Sequence, residues 1–242
     1  MPVRPELKPQ DRIIVALDFP TAHEALRLVE ELQGLVSFYK VGLELLMGGG
    51  LGELLHRLED KRVFIDLKLP DDLTDTIRRV VRLASANRVR FLTLSRSVSP
   101  PTIRAALEGR GGGPLPQLLW VPFVSSQDAS DFAEMSGRPA SEFQGEMVRR
   151  AHVIKDLGVD GFIVSGQEIA ILRSEFPEAP LVSPGIRPSG TSKDGHKRAC
   201  TPSEAIGLGA DYLVIGRPIR DAGGPTARRE AAQRIIDEIA AE

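Results

Sequence analysis

The sequence predicts an α/β protein, a single (β/α)₈ TIM barrel. Short β-branched runs recur about every 30 residues, and each is followed by a stretch with helical periodicity, the pattern of a parallel sheet covered by helices. Ionisable residues gather where the apolar runs end. Eight such units favour a closed barrel over an open sheet, and no G-x-G-x-x-G fingerprint follows Asp18, which counts against a dinucleotide fold.

The first run is Arg12–Leu17, closed by Asp18 and Pro20; Thr21 caps a helix with Ala25, Leu28, Val29 and Leu32 on one face. Leu35–Val41 is the second strand, with a helix over Glu44–Glu59 after or across the Gly48–Gly50 turn. Arg62–Leu67 is the third, and a helix over Leu73–Ala86 turns Ile77, Val80, Val81 and Ala84 inward. Val89–Leu94 is the fourth, and Pro100 starts its helix at the first position, where a missing N–H costs nothing. After a Gly109–Pro114 turn, Leu118–Phe123 is the fifth, with Pro122 near its end because proline cannot donate to a ladder. A polar insertion precedes a helix over Gln144–Leu157. Gly161–Val164, Pro180–Val182 and Tyr212–Ile215 complete the strands, with helices over Glu168–Phe176 and Thr226–Ala241.

The 242 residues, 42% hydrophobic and 26% charged, suit one domain over 1–242, large enough to bury roughly 70–75% of its unfolded surface. Residues 1–10 read as an N-terminal extension. A formal net charge of -2 gives no reason to expect a nucleic-acid partner. The single cysteine, Cys200, forms no internal disulfide, and no Cys/His spacing marks a zinc site. Met1–Gln10 lacks an apolar signal segment, and no apolar stretch approaches the roughly 18 residues of a membrane span. A cytoplasmic protein with no membrane partner is expected.

A barrel carries its chemistry at the carboxyl ends of its strands. The polar residues there are Asp18, Lys40, Asp66, Lys68, Asp71, Ser125, Ser165, Arg187 and Arg217. Period-two geometry puts Asp66 and Lys68 on the same side of the third strand. Asp71 folds back or reaches a neighbouring subunit, and Lys40 faces the same opening. Carboxylates interleaved with lysines hold the ammonium groups charged and in place. A charged Lys68 then donates a proton to a developing carbanion while Asp66 or Asp71 crowds a substrate carboxylate, with no metal and no cofactor. The bland alternative is a salt-bridged barrel mouth that only stabilises the fold.

A phosphate grip is separately legible. Ser183-Pro184-Gly185-Ile186-Arg187-Pro188 opens a loop, 184–200, that carries Arg187, Lys193, Lys197 and Arg198 against only Asp194. Its glycines at 185, 190 and 195 suit a lid. The eighth strand ends in Ile215-Gly216-Arg217-Pro218, where Gly216 exposes an N–H and Arg217 forks onto phosphate oxygens. The loops after strands seven and eight are the usual phosphate site of barrels.

These motifs, in this order and spacing, resemble the orotidine 5′-phosphate decarboxylase family over nearly the whole chain. The matches run from Ile14-Val15-Ala16-Leu17-Asp18 through Tyr39-Lys40-Val41-Gly42 and Phe64-Ile65-Asp66-Leu67-Lys68. They continue through Val159-Asp160-Gly161-Phe162-Ile163-Val164-Ser165 and the Ser183–Pro188 run to Thr201-Pro202 and Val214-Ile215-Gly216-Arg217-Pro218. The resemblance implies cofactor-free decarboxylation of orotidine 5′-phosphate to uridine 5′-phosphate in a homodimer with shared active sites. It implies that Lys68 protonates C6 of the pyrimidine within an array of Lys40, Asp66, Lys68 and Asp71, with Asp71 supplied by the other subunit. Asp18 and Lys40 would hold ribose hydroxyls, Ser125 the pyrimidine edge, and Arg187, Gly216 and Arg217 the 5′-phosphate.

The chain departs from that family in three places. Asp71-Asp72-Leu73-Thr74-Asp75-Thr76 stands where Asp-Ile-Pro-Asn-Thr is common, so Thr76 or Asp75 takes the threonine's ribose contact, and Asp72 competes with Asp71 for the carboxylate role. Thr93-Leu94-Ser95-Arg96-Ser97 lacks a customary histidine. His196 stands for a phosphate-contacting glutamine. Two other functions remain open at this point. One is a metal-dependent keto-sugar-phosphate decarboxylase or aldolase of the same superfamily, whose Asp66, Lys68 and Asp71 equivalents hold magnesium. The other is a nucleotide-binding barrel without activity.

Overall fold

The structure, a computed structural model, describes residues 7–166, 168–188 and 199–242. Among them, eight parallel strands close into a barrel in sequence order, with β8 returning to pair with β1. The strands are β1 (Ile13–Ala16), β2 (Phe38–Gly42), β3 (Arg62–Leu69), β4 (Phe91–Leu94), β5 (Gln117–Trp120), β6 (Gly161–Ile163), β7 (Leu181–Ser183) and β8 (Tyr212–Ile215). The helices outside them are α1 (Ala22–Glu31), α2 (Leu43–Met47), α3 (Leu51–Arg57), α4 (Thr74–Ala86), α5 (Pro100–Arg110) and α6 (Ala129–Ser136). They continue as α7 (Phe143–Asp156), α8 (Glu168–Glu175), α9 (Pro202–Gly207), α10 (Arg217–Arg220) and α11 (Pro225–Ala240).

The expected elements occur in the expected order, with local differences that have physical causes. Thr21 caps α1 by accepting the Glu24 N–H at 3.3 Å, and Ala25, Leu28, Val29 and Leu32 are buried. The helix expected over Glu44–Glu59, after or across the Gly48–Gly50 turn, is two helices, α2 and α3, on either side of that turn. That turn lies against the start of α1. A Cβ on Gly48 would sit 1.8 Å from the Pro20 carbonyl oxygen, and one on Gly50 would sit 2.8 Å from the Ala22 nitrogen. The polar insertion after β5 contains α6, started by a reciprocal cap between Asp128 and Asp131. Helix α9 was not anticipated, although Thr201 and Glu204 form the same kind of cap.

Alternation along the strands divides the apolar side chains into two layers. Ile13, Val15, Tyr39, Val41, Val63 and Ile65 point outward and pack under the helices. Ile14, Ala16, Phe38, Phe64, Phe91, Leu119, Val121, Ile163, Val182, Tyr212 and Val214 fill the barrel. Phe38, Phe91 and Tyr212 meet at centroid distances of 5.2 to 5.8 Å, with Phe64 5.9 Å from Phe91. These rings close the amino-terminal half of the barrel. Above them, at the carboxyl end, Asp66 follows Phe64 on the inward face of β3.

Candidate active site

The carboxyl end of the barrel holds a cavity of about 310 Å³, within the usual range of roughly 300–1,000 Å³ for small-molecule sites. Its floor is Ala16, Phe64, Val121, Ile163 and Val214, the upper edge of the barrel's apolar filling. Its polar wall brings together Asp18, Lys40, Asp66, Lys68, Ser125, Arg187, Gly216 and Arg217. Eight residues singled out at or after six strands therefore share one space.

The charged groups form a chain. Asp18 Oδ1 accepts from Lys40 Nζ at 2.9 Å. Lys40 Nζ also lies 3.9 Å from Asp66 Oδ2, and Lys68 Nζ donates to Asp66 Oδ1 at 2.9 Å. Lys40 stands inside β2 rather than at its end, and it reaches the mouth because it shares the inward face with Phe38.

Lys68 and Asp66 meet, but not through the simple alternation expected. The pairing of β3 with β4 shifts between Ile65 and Leu69, which face Leu92 and Leu94. Within this bulge Lys68 adopts φ +51, a left-handed conformation that costs a residue with a Cβ about 1–2 kcal/mol. Bulges of this kind re-aim side chains next to active sites. Thr93, fully buried in β4, holds the bulge: its Oγ1 accepts the Lys68 N–H at 2.8 Å and donates to Asp66 Oδ1 at 3.0 Å. Sequence reading gave Thr93 no such role, because a threonine in a buried strand carries no signal of its own.

The phosphate-side candidates converge as well. Arg187 is 6% exposed and its guanidinium donates to the Ile186 carbonyl at 2.7 Å. Gly185, at φ +77, lets the chain turn beside it. Gly216 precedes α10, and a Cβ there would approach Ala16 Cβ to 3.5 Å and Asp18 Oδ2 to 3.8 Å. Arg220, one helical turn after Arg217, also lines the cavity. Its (i, i+3) spacing from Arg217 was the signal that could have found it.

Other candidates stand apart. Asp71 does not line the cavity; its Oδ1 accepts the Ser99 N–H at 2.7 Å, at the start of α5. Desolvation works against the Asp71 carboxylate, but that N–H and the Thr102 and Ser99 hydroxyls outweigh it and hold its pKa below the ordinary value. Thr76 lies on α4, 3.5 Å from an Arg79 nitrogen. Ser165 is buried and does not line the cavity. Cys200 is buried, which pushes its thiol pKa up and leaves it a poor nucleophile. His196 and most of the 184–200 lid loop, with Gly190, Lys193, Asp194, Gly195, Lys197 and Arg198, lie outside the described residues, as does most of 1–10.

Past Lys68, a second cavity of about 470 Å³ is lined by Ser95, Arg96, Ser97, Gln127, Met135 and Arg150. The Arg96 guanidinium lies over the Phe123 ring at 4.3 Å. Burial and the neighbouring Arg150 charge lower its pKa. Among the described residues, no group of three or more His, Cys, Asp or Glu side chains is placed to hold a metal ion. No helix among them is long and apolar enough to cross a membrane.

Comparison with known proteins adds independent findings. The family model described as "Orotidine 5'-phosphate decarboxylase / HUMPS family" matches residues 11–234. An orotidine 5′-phosphate decarboxylase of Rhodopseudomonas palustris strain BisA53 is 40% identical over 233 residues, covering 95% of each chain. One from Bradyrhizobium sp. strain BTAi1 is 42% identical over 238 residues, covering 97% of this chain and 94% of its own. Among solved structures, the orotidine 5′-phosphate decarboxylase of Lactobacillus acidophilus superposes with a TM-score of 0.76 at 27% identity, covering 94% of this chain and 98% of its own.

Proposed function

Because the chain belongs to the orotidine 5′-phosphate decarboxylase family, we propose that its charged cavity is the active site and that Lys68 is the proton donor. The reaction is the decarboxylation of orotidine 5′-phosphate to uridine 5′-phosphate, carried out without a metal cofactor; the protein is a carbon–carbon lyase of pyrimidine biosynthesis. The observation that carries the site reading is the alternating Asp18–Lys40–Asp66–Lys68 chain in the mouth of one barrel.

In this reading the 5′-phosphate sits against Arg187, Gly216 and Arg217, the ribose hydroxyls against Asp18 and Lys40, and the pyrimidine edge against Ser125. These contacts press the C6 carboxylate toward Asp66. Remote binding energy supports the crowding there. The C6–carboxylate bond breaks, its electron pair remains on C6, and carbon dioxide departs. The Lys68 ammonium, 2.9 Å from Asp66 beforehand, stabilises the carbanion and gives it a proton. Solvent then recharges Lys68. The positions are set before substrate arrives, so little reorganisation accompanies the charge movement.

A homodimer completes the array. Asp71 is exposed and outside its own cavity, so the fourth charged group comes from a partner, with Asp72 its nearest competitor and Thr76 or Asp75 beside the partner's ribose. Leu43, Leu46, Met47, Leu73 and Met135 are exposed large apolar residues on segments that follow β2, β3 and β5. They lie on the barrel face that bears the site, and burial against a second copy removes that area from water. The protein acts in the cytoplasm on a small phosphorylated nucleoside, with no nucleic-acid or membrane partner.

The metal-dependent keto-sugar-phosphate reading fits the donor set less well. Both Asp66 oxygens already face ammonium groups, at 2.9 and 3.9 Å, which leaves little negative charge for a divalent cation. Loss of orotate absorbance on adding orotidine 5′-phosphate to the purified, chelator-treated protein tests the choice. Rapid loss is expected. No loss, with turnover of a keto-sugar phosphate restored by magnesium, would establish the alternative.

A further inference from the structure

We infer that Arg220 is a positioning residue of the active site, a fifth member of the charged chain that fixes Asp18 and, through it, Lys40. The inference rests on the family reading of the cavity, since it assigns Arg220 a part in that reaction. Arg220 begins outside the barrel, on the single turn of α10 that follows β8. Its backbone N–H donates to the Gly216 carbonyl at 2.9 Å, which ties it to the residue assigned to phosphate. Its side chain then crosses to the neighbouring strand and donates through Nη1 to the Asp18 carbonyl at 3.0 Å. The same nitrogen lies 4.0 Å from Asp18 Oδ2.

The two Asp18 oxygens are therefore divided between cations. Oδ1 faces Lys40 at 2.9 Å and Oδ2 faces Arg220 at 4.0 Å. With Asp66 and Lys68 included, five charges alternate in sign from the phosphate side of the mouth to the proton donor. A guanidinium suits this place because it donates to a carbonyl and faces a carboxylate from one rigid plane. Its own orientation is constrained from outside. Nε donates to Asp221 Oδ1 at 2.7 Å and Nη2 to Asp221 Oδ2 at 3.1 Å, and the guanidinium lies 5.9 Å from the Phe19 ring centroid. At 21% side-chain exposure, it is more shielded than Asp18 at 37%. Without Arg220, Asp18 loses one of the two cations that aim it.

The test is a double-substitution cycle in the full-length protein, with orotidine 5′-phosphate as substrate. Arg220→Met should lower kcat/KM roughly ten- to a hundredfold, the scale of one lost charge-assisted hydrogen bond. Arg220→Lys should recover much of that, since an ammonium still reaches the carbonyl or carboxylate. In an Asp18→Ala background, Arg220→Met should change kcat/KM less than threefold, because there is no longer a carboxylate to aim. Additive losses would overturn the inference and make Arg220 a direct substrate contact. Unchanged kcat/KM in Arg220→Met would overturn it as well. Unfolding midpoints of all variants identify losses caused by misfolding, and the Lys variant keeps the test decisive if the Met variant does not fold. If the unsubstituted protein itself fails to turn over the substrate, the family reading fails instead.

Discussion

Lys68 Nζ lies 2.9 Å from Asp66 Oδ1 although the Lys68 backbone has left the extended conformation, with φ at +51. The salt bridge is thus made across a bulge rather than along a strand, and the strain is local to the proposed proton donor. A non-glycine residue held there is informative, since strain of this kind persists where the surroundings over-determine it.

Two substitutions separate the chemistry of Lys68 from its strain. Lys68→Ala should reduce kcat by more than about a thousandfold, the scale of a removed proton donor plus its charge, while binding of uridine 5′-phosphate stays measurable by calorimetry. Lys68→Gly should be equally inactive but more stable than Lys68→Ala by about 1 kcal/mol, because glycine adopts positive φ without penalty. Equal stabilities in denaturant titrations would show that the bulge relaxes without cost.

Thr93→Val replaces the hydroxyl that bridges the Lys68 N–H and Asp66 Oδ1 with a methyl group of similar size. It should cost about 1–3 kcal/mol of stability, the penalty of leaving a shielded donor unsatisfied, and lower kcat more than it raises KM. A KM effect alone, in steady-state absorbance assays, would place Thr93 outside the positioning of Lys68.

Arg217→Ala should lower kcat/KM for orotidine 5′-phosphate by roughly a hundredfold, the scale of a forked contact to a phosphate. Turnover of orotidine, which lacks the phosphate, should be unchanged. An equal loss on both substrates would remove Arg217 from the phosphate grip.

Acid stability should depend on Glu146. Hydrogen bonds from Arg149 and Arg138 outweigh burial and hold its pKa at about 2, below the ordinary 4.5. A carboxylate with a depressed pKa stabilises the folded state above its unfolded pKa, and that contribution fades as pH falls from about 4.5 toward 2. Glu146→Gln should therefore unfold at a lower temperature at pH 6, with the difference from the parent shrinking steadily as pH falls toward the folded-state value of about 2. A constant difference across that window, followed by circular dichroism, would contradict the assignment.

Much of this was legible in the sequence because a barrel converts strand order into proximity. Asp18, Lys40, Asp66, Ser125, Arg187 and Arg217 end up on one cavity simply by lying near the carboxyl ends of different strands. The details that escaped depend on backbone irregularity or on partners distant in the chain. The Lys68 bulge breaks the period of two on which the strand reading relied. Thr93 acts 27 residues from Asp66, and Arg220 acts 202 residues from Asp18. Neither pairing is visible in the chain, although the spacing of Arg220 from Arg217 places it on the same turn. Whether the helix over 44–59 follows or crosses the Gly48–Gly50 turn stays open in the sequence, because the close approach of Pro20 and Ala22 that requires a break comes from another segment of the chain.

The account stands most directly on where one ligand binds. A crystal structure with a uridine 5′-phosphate analogue bearing an anionic group at C6 should place that group within hydrogen-bonding distance of Lys68 Nζ, with the phosphate between Arg187 and Arg217. A phosphate bound away from both arginines, or a C6 group turned from Lys68, would contradict it.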